Sequence, residues 1–181
     1  MRKVSWVVLM VLALAMTASA QATKIMGKAH CAKEDPSYSI DVGDKPGHAL
    51  MAQKRACNWT TPLEIAGSKT KDGTDVETAE MSGASIRDSG YHTATMDNGD
   101  KFTVHFSGST KLNKDNTGTF NGKWSFVSGT GKLKGIKGGG TYKGMAAADG
   151  SSDVDVEGDY MIPEAKAAPA KPPKAPAKKS S

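Results

Sequence analysis

Apolar and polar residues alternate along several short segments of the chain. The segment KFTVHFSG alternates phenylalanine and valine with polar residues, and GKWSFVSG and SDVDVEGDYMI follow the same period of two. A period of two is typical of β-strands that bury one face. These three segments therefore predict half-buried strands.

Fainter runs of the same kind fill the rest of the middle of the chain. No long stretch repeats apolar residues at intervals of three and four, so helices are not expected. The segments TKDGTD, MDNGDK and AADGSS contain the Asp-Gly and Asn-Gly pairs that are typical of antiparallel hairpins. We expect an all-β fold of about eight to ten strands, arranged as a sandwich or a closed barrel.

Two features favour a single closed antiparallel barrel. Aromatic side chains lie on one face of successive strands, and Gly67, Gly83 and Gly108 are expected inside strands, where a small barrel must bend. Lysines also precede a run of acidic residues late in the chain. If the strands around Trp124, Tyr142 and the last acidic run are neighbours, these opposite charges can face each other.

The two ends of the chain differ from the middle. Residues 1–20 have a basic start, an apolar run and an Ala-Ser-Ala end, which predicts a cleaved signal peptide and a periplasmic or secreted protein. No second hydrophobic stretch follows, so no transmembrane segment is expected after cleavage. Residues 164–181 contain only Ala, Pro, Lys, Ser and one Glu, which predicts a disordered tail. The β-barrel domain is expected over 21–163.

The basic charge of the chain belongs to its ends. Of 24 basic and 19 acidic residues, the signal holds two basic ones and the tail holds five lysines and one glutamate, which leaves 17 basic and 18 acidic residues in between. A nucleic-acid-binding domain carries a basic footprint on the domain itself, so we exclude that class. The tail is interpreted either as a solvated spacer or as an attachment to an anionic envelope surface.

Two cysteines, Cys31 and Cys57, are the only ones in the chain. In an oxidising compartment such a pair predicts a disulfide. A copper site is the alternative, because His30 adjoins Cys31 and Met26 is close in sequence. The chain has no H-x-H, H-E-x-x-H or paired-carboxylate spacing, so neither a catalytic metal nor another cofactor is expected.

The stretch GTGKLKGIKGGGTYKG, residues 129–144, holds seven of the 20 glycines. It is not a phosphate-binding loop, because no glycine is followed by Lys-Ser or Lys-Thr and the dinucleotide spacing fails by one residue. The run WSFVSGTGKLKGIKGGGTYKG resembles the turn of the allene oxide cyclase and dirigent barrels. That resemblance implies a closed, calycin-like barrel in which Leu133 plugs one end and Ile136 is a second anchor.

Similar sequences extend the resemblance over most of 21–163. Uncharacterised exported bacterial proteins resemble this chain at GDKPGH, Cys57-Asn58-Trp59, GYHTATMDNGDK, the glycine stretch and VEGDY. Only the turn matches the plant cyclases, so no catalytic residue carries over from them.

The histidines are the candidates for chemistry. Pro46 and Gly47 define a turn that can bring Asp44 and His48 together, either as an oriented general base or as a turn cap with a packed histidine. No serine or cysteine nucleophile is placed to complete a triad. His105 is expected to point outward, and His92 could lie on either face.

Three functions remain open. The first is a non-enzymatic exported barrel that binds a small apolar ligand or an envelope partner. The second is a structural or surface-interaction protein that acts through its basic tail, and the third is an isomerase or cyclase similar to allene oxide cyclase. The candidate ligand-binding residues are Asp44, His48, Trp59, Tyr91, Trp124 and Tyr142.

Overall fold

The computed structural model describes residues 21–163, which form ten β-strands and one short 3₁₀-helix but no α-helix. The predicted signal peptide and C-terminal tail lie outside these residues. In the described range, no helix has the length and apolar character needed to cross a membrane. The strands are β1 Thr23–Cys31, β2 Ser37–Asp41, β3 His48–Thr61, β4 Glu64–Ile65, β5 Ser68–Ser82, β6 Ser85–Met96, β7 Lys101–Leu112, β8 Gly118–Gly129, β9 Lys137–Ala146 and β10 Ser152–Met161.

Eight of these strands form a closed antiparallel barrel. Around the ring, β1 is followed by β10, β9, β8, β7, β6, β5 and β3, and β3 pairs with β1 to return to the start. The pairing of β3 with β5 closes the sheet, so the ring has no free edge. The predicted all-β fold, strand number and closure are confirmed.

Two strands lie outside the ring. β4 is a two-residue strand that pairs with the beginning of β5. β2 pairs with the first half of β3, whereas β1 pairs with the second half of the same strand. β2 therefore extends the sheet beyond the point where the barrel closes.

The 3₁₀-helix Gly131–Leu133 plugs one end of the barrel, as the resemblance of the glycine-rich turn implies. Leu133 is 1% exposed and Ile136 is 4% exposed. Both pack in the hydrophobic cluster with Leu63, which precedes β4, and with Ile65, which belongs to β4. Burial of these aliphatic side chains excludes water from this end of the barrel.

Of the three glycines expected inside strands, Gly108 lies inside β7, and Gly67 and Gly83 do not. A Cβ atom on Gly108 or Gly122 would collide with the ring of Tyr142, which lies across these two interior positions. Gly67 and Gly83, which were expected inside strands, lie instead in turns with φ angles of 77° and 61°. A positive φ is readily adopted by glycine, so these two residues reverse the chain rather than bend a strand.

Two other predicted features are confirmed. Cys31 and Cys57 form a disulfide that connects β1 and β3 at directly opposite positions. The strands β8, β9 and β10 are neighbours, and Lys143 lies opposite Asp155. Lys28 of β1 also forms an ion pair with Asp155 at 2.6 Å.

Replacing Leu133 with alanine is expected to destabilise the protein by about 3 kcal/mol, because it leaves a cavity in the closed end. Urea unfolding measures the change. Lys134→Ala is the control, because this adjacent side chain is exposed and its loss should change the free energy of unfolding by less than about 0.5 kcal/mol. Equal losses for the two variants would contradict the plug.

Candidate functional site

A cavity of about 390 Å³ lies inside the barrel. Residues of the β7–β8 and β9–β10 turns, Asn116, Ala147 and Gly150, are at its rim, so it opens at the end opposite the plug. Much of its wall is aromatic. The aromatic lining residues are Trp59, Phe102, Phe106, Phe120, Trp124, Phe126 and Tyr142.

A group of titratable side chains forms the polar part of the wall. Its members come from β3, β5, β6, β9 and the β1–β2 connection, where inward positions of neighbouring strands carry charge. The members are Glu34, Arg55, Asp75, Glu77, Asp88, His92 and Tyr142. We call these seven residues the interior polar cluster.

Arg55 is the central cation of the interior polar cluster. Its Nη2 atom donates to Oε1 of Glu77 at 2.5 Å and lies 3.0 Å from Oε1 of Glu34. Burial opposes the charge of Arg55, but the two carboxylates outweigh burial and raise its pKa. Burial also raises the pKa of Glu77, although the charge of Arg55 acts in the opposite direction.

His92 and Asp75 form a second pair in the interior polar cluster. The residues are opposite each other on β6 and β5, and His92 Nδ1 lies 2.5 Å from Asp75 Oδ1. The His92 ring also packs edge-on against Trp59, with centroids 5.9 Å apart. Gly73 allows this position, because a Cβ atom there would collide with the imidazole.

Asp88 and Tyr142 form the third pair. The Tyr142 hydroxyl donates to Asp88 Oδ2 at 3.2 Å. Burial raises the pKa of Asp88, while the hydrogen bond from Tyr142 partly offsets this effect. Burial and the neighbouring carboxylate raise the pKa of Tyr142 well above its ordinary range. Tyr142 is therefore a hydrogen-bond donor over the whole physiological pH range.

Three of the predicted ligand-binding residues line the cavity. Trp59 on β3 and Trp124 on β8 are part of the aromatic wall, and β1, β10 and β9 lie between these two strands in the ring. Tyr142 belongs both to the aromatic wall and to the interior polar cluster. Trp124 Nε1 donates to the carbonyl of Thr141 at 3.2 Å, which holds the indole in place. Contact of these residues with a ligand stays a prediction.

The other three predicted residues lie on the outer surface. Tyr91 alternates with inward-facing residues of β6, is half exposed and contacts the ring of His105. The predicted turn does bring Asp44 to His48, with Oδ1 and Nδ1 2.6 Å apart. His48 Nε2 lies 2.9 Å from Oε1 of Glu80 on β5, so the imidazole is held between two carboxylates.

His92 and His105 lie on opposite faces of the barrel wall. His92 faces the interior, whereas His105 lies outside the barrel beside Tyr91 and Ser89, as expected for His105. Residue alternation could not place His92, because the segment around it carries polar residues on both faces.

Sequence reasoning missed most of the interior polar cluster. Asp75 and Glu77 sit in TKDGTDVETAE, where polar residues occupy both faces of β5 and the period of two disappears. The usable signal is the small-residue spacing of this segment, because Gly73 and Ala79 flank the two acids on the inward face. Interior-facing and exterior-facing residues alternate along a barrel strand, so these small and acidic residues share one face.

One group within residues 21–163 has metal-ligand geometry, formed by Cys31, Cys57 and Asp75. Both of its sulfur atoms are joined in the disulfide. His30, the residue on which the copper alternative depends, faces outward and pairs with Asp153 at 2.9 Å. The two cysteines therefore have no free thiolate to offer to a copper ion.

Comparison with known proteins gives matches among solved structures. A pterocarpan synthase dirigent protein superposes with a TM-score of 0.46 at 12% identity, covering 88% of this chain and 100% of its own. A conserved protein of unknown function from Rhodopseudomonas palustris gives 0.44 at 10% identity, covering 79% and 100%. No protein-family model and no curated protein sequence matches the chain. The structural neighbours thus include a member of the dirigent group that the glycine-rich turn resembles.

Replacing Arg55 with methionine is expected to destabilise the protein by about 3 kcal/mol at neutral pH, because it leaves two carboxylates without their cation. The folded-state pKa of Glu77 then rises further above its ordinary 4.5. A carboxyl with a raised folded-state pKa lowers the stability of the fold as the pH rises from 4.5, and the loss is complete above the folded-state pKa. Urea unfolding should show a larger deficit at pH 8 than at pH 5.

The matched control for this prediction is the double variant Arg55→Met with Glu77→Gln. Removing the uncompensated charge should recover part of the lost stability and reduce the difference between pH 5 and pH 8. A deficit that is the same at both pH values would show that the loss comes from packing alone.

The pKa of His48 is expected to lie above its ordinary value of 6.5, because Glu80 and then Asp44 stabilise the imidazolium. The stabilising effect is complete below pH 6.5 and disappears as the pH rises through the folded-state value. A proton NMR titration of the histidine rings measures the pKa. Glu80→Gln should lower it, whereas Glu64→Gln, on distant β4, should leave it unchanged.

Proposed function

We propose that this protein is a non-enzymatic β-barrel that binds a small, largely apolar molecule in its interior. The observation that carries this proposal is the cavity of about 390 Å³, which is closed by Leu133 at one end and open at the other. Small-molecule sites are typically concave, mainly apolar and equipped with a few polar groups. The aromatic wall and the interior polar cluster match that description.

The cavity wall favours a ligand that carries at least one hydrogen-bonding group. Trp59 Nε1 and His92 Nε2 are buried without a hydrogen-bond partner among the described residues. Both belong to side chains on the cavity wall, and their rings are in contact. Neither nitrogen is exposed to the cavity, so the polar groups that a ligand could meet are other members of the interior polar cluster, such as Arg55 and Asp88.

Location and partners are part of the same proposal. The Cys31–Cys57 disulfide supports an oxidising compartment, which agrees with a cleaved signal at 1–20 and a periplasmic or secreted protein. The lysines of 164–181 would add weak attraction to an anionic envelope surface. Under this proposal, removing 164–181 weakens envelope association and leaves ligand binding intact.

One observation favours an isomerase or cyclase as the second candidate. Asp88 lies in the cavity with a raised pKa and is in contact with Tyr142, so it could hold a proton near a confined substrate. Native mass spectrometry of protein purified from its host distinguishes the candidates. A stable co-purified ligand supports binding, whereas chemical conversion of that ligand that stops in Asp88→Asn supports catalysis.

Replacing Ala79 with phenylalanine is expected to block the cavity, because Ala79 lines it directly opposite Asp88. The probe is N-phenyl-1-naphthylamine, a neutral fluorophore whose emission rises in apolar surroundings. Its affinity should fall at least about tenfold, which corresponds to roughly 1.4 kcal/mol.

Ala56→Phe is the matched control, because Ala56 is an exposed alanine on the outer face of β3. This variant should bind the probe as the unchanged protein does, and circular dichroism should be the same for all three proteins. Probe binding that survives in Ala79→Phe, or that is lost in both variants, would contradict an interior site.

A further inference from the structure

β2 presents a free edge of the sheet. Within residues 21–163 it pairs with β3 and with no other strand. The hydrogen bonds from Val42 N to His48 O and from Lys54 N to Pro36 O set the alternation of the ladder. In an antiparallel ladder, the backbone groups of Tyr38 and Ile40 then point toward β3, and those of Ser37, Ser39 and Asp41 point away from it.

This edge carries few of the features that usually prevent strand-to-strand association, and Asp41 is its single charged residue. Natural edge strands are blunted by lysine, proline, bulges or a covering segment. Ser37–Asp41 contains no lysine or proline, its pairing with β3 has no register shift, and all five residues are exposed. β2 is therefore open to pairing with another strand.

The outer face beside this edge is apolar. Tyr38 and Ile40 lie directly across from Ala52 and Leu50 of β3, and Tyr38 shares a shallow groove with Val76 and Tyr91. Six of the nine large apolar side chains exposed within 21–163 lie here, and such patches mark interaction sites. The six are Tyr38, Ile40, Val42, Leu50, Val76 and Tyr91.

We propose that β2 pairs antiparallel with β2 of a second copy of this chain, about a twofold axis at Ser39. The sequence Ser-Tyr-Ser-Ile-Asp is self-complementary in this register. Ser39 lies opposite Ser39 of the second copy, Ser37 lies opposite Asp41, and Tyr38 lies opposite Ile40. The residues with outward backbone groups then form the hydrogen-bonded pairs, and Tyr38 packs against Ile40 on the outer face.

Charge supports a second copy as the occupant. In the register centred on Ser39, each Asp41 faces a serine hydroxyl, so no two like charges lie opposite each other. The pairing is isologous, which is the commonest arrangement of homodimers. The two outer apolar patches then form one continuous surface that crosses the axis. This dimer does not involve the cavity, so it holds whether or not the interior binds a ligand.

Ser39→Pro tests the backbone pairing. The Ser39 N–H points away from β3, so proline removes a hydrogen-bond donor from the dimer without removing one from the β2–β3 ladder. Sedimentation velocity over a concentration series measures the dissociation constant of the purified protein. We expect concentration-dependent dimers for the unchanged chain, and a dissociation constant at least about tenfold higher for Ser39→Pro and for Ile40→Lys.

Val127→Lys is the matched control, because Val127 is also an exposed apolar residue but lies on β8, far from this edge. It should dimerise as the unchanged chain does, and so should a chain that ends at Pro163. A monomer at every concentration would overturn the proposal, as would dimers that Ser39→Pro and Ile40→Lys do not weaken. Loss of the dimer on removal of 164–181 would assign the edge to the tail and would also overturn the proposal.

A cysteine substitution tests the register. In Ser39→Cys the two thiols meet at the axis, where the Cα separation of a hydrogen-bonded pair is about 5.5 Å and suits a disulfide. In Ser37→Cys the two thiols lie about 14 Å apart, four residues along the strands. We expect an intermolecular crosslink for Ser39→Cys alone. Equal crosslinking of both variants, or crosslinking of Ser37→Cys alone, would overturn this register.

Discussion

The pairing of β3 with β5 closes the sheet, and the rest of the structure depends on this closure. An eight-stranded barrel has an interior just wide enough to be filled by side chains or to hold one small molecule. In this chain, Leu133 and Ile136 fill one end, while the other end retains the cavity. The interior is therefore plugged at one end and contains a cavity that opens at the other.

Part of the cavity wall is polar, and its charged side chains are buried there in pairs. Arg55 holds Glu77 and Glu34, Asp75 holds His92, and Tyr142 donates to Asp88. Replacing buried ion pairs with apolar residues is often neutral or stabilising, so stability alone is a weak reason for this cluster. Its position on the cavity wall favours a role in recognising the polar part of a ligand.

The outer surface follows a different rule from the interior. Where β2 extends past the closed ring, it has a partner on one side, and its apolar residues face solvent. His48 lies beside this extension, held between Asp44 and Glu80 on the outside of the barrel. Closure thus removes the edges of the eight ring strands, whereas β2 and the two-residue β4 each keep one free edge among the described residues, and the proposed dimer uses that of β2. The cavity and the β2 edge are separate surfaces of one sheet.

The sequence by itself determined the strand class, the approximate strand number and the disulfide, and its resemblance to the dirigent barrels at the glycine-rich turn implied the plugging residues. These features depend on local signals: the period of two, the turn dipeptides, a lone cysteine pair and the glycine-rich turn. It could not determine which face of β6 carries His92, or that Arg55, Asp75 and Glu77 meet inside. Polar residues occupy both faces of β5 and β6, so the alternation of polar and apolar residues does not show which face points inward. Only the register between strands decides which side faces the interior, because a shift of one residue would exchange the two faces.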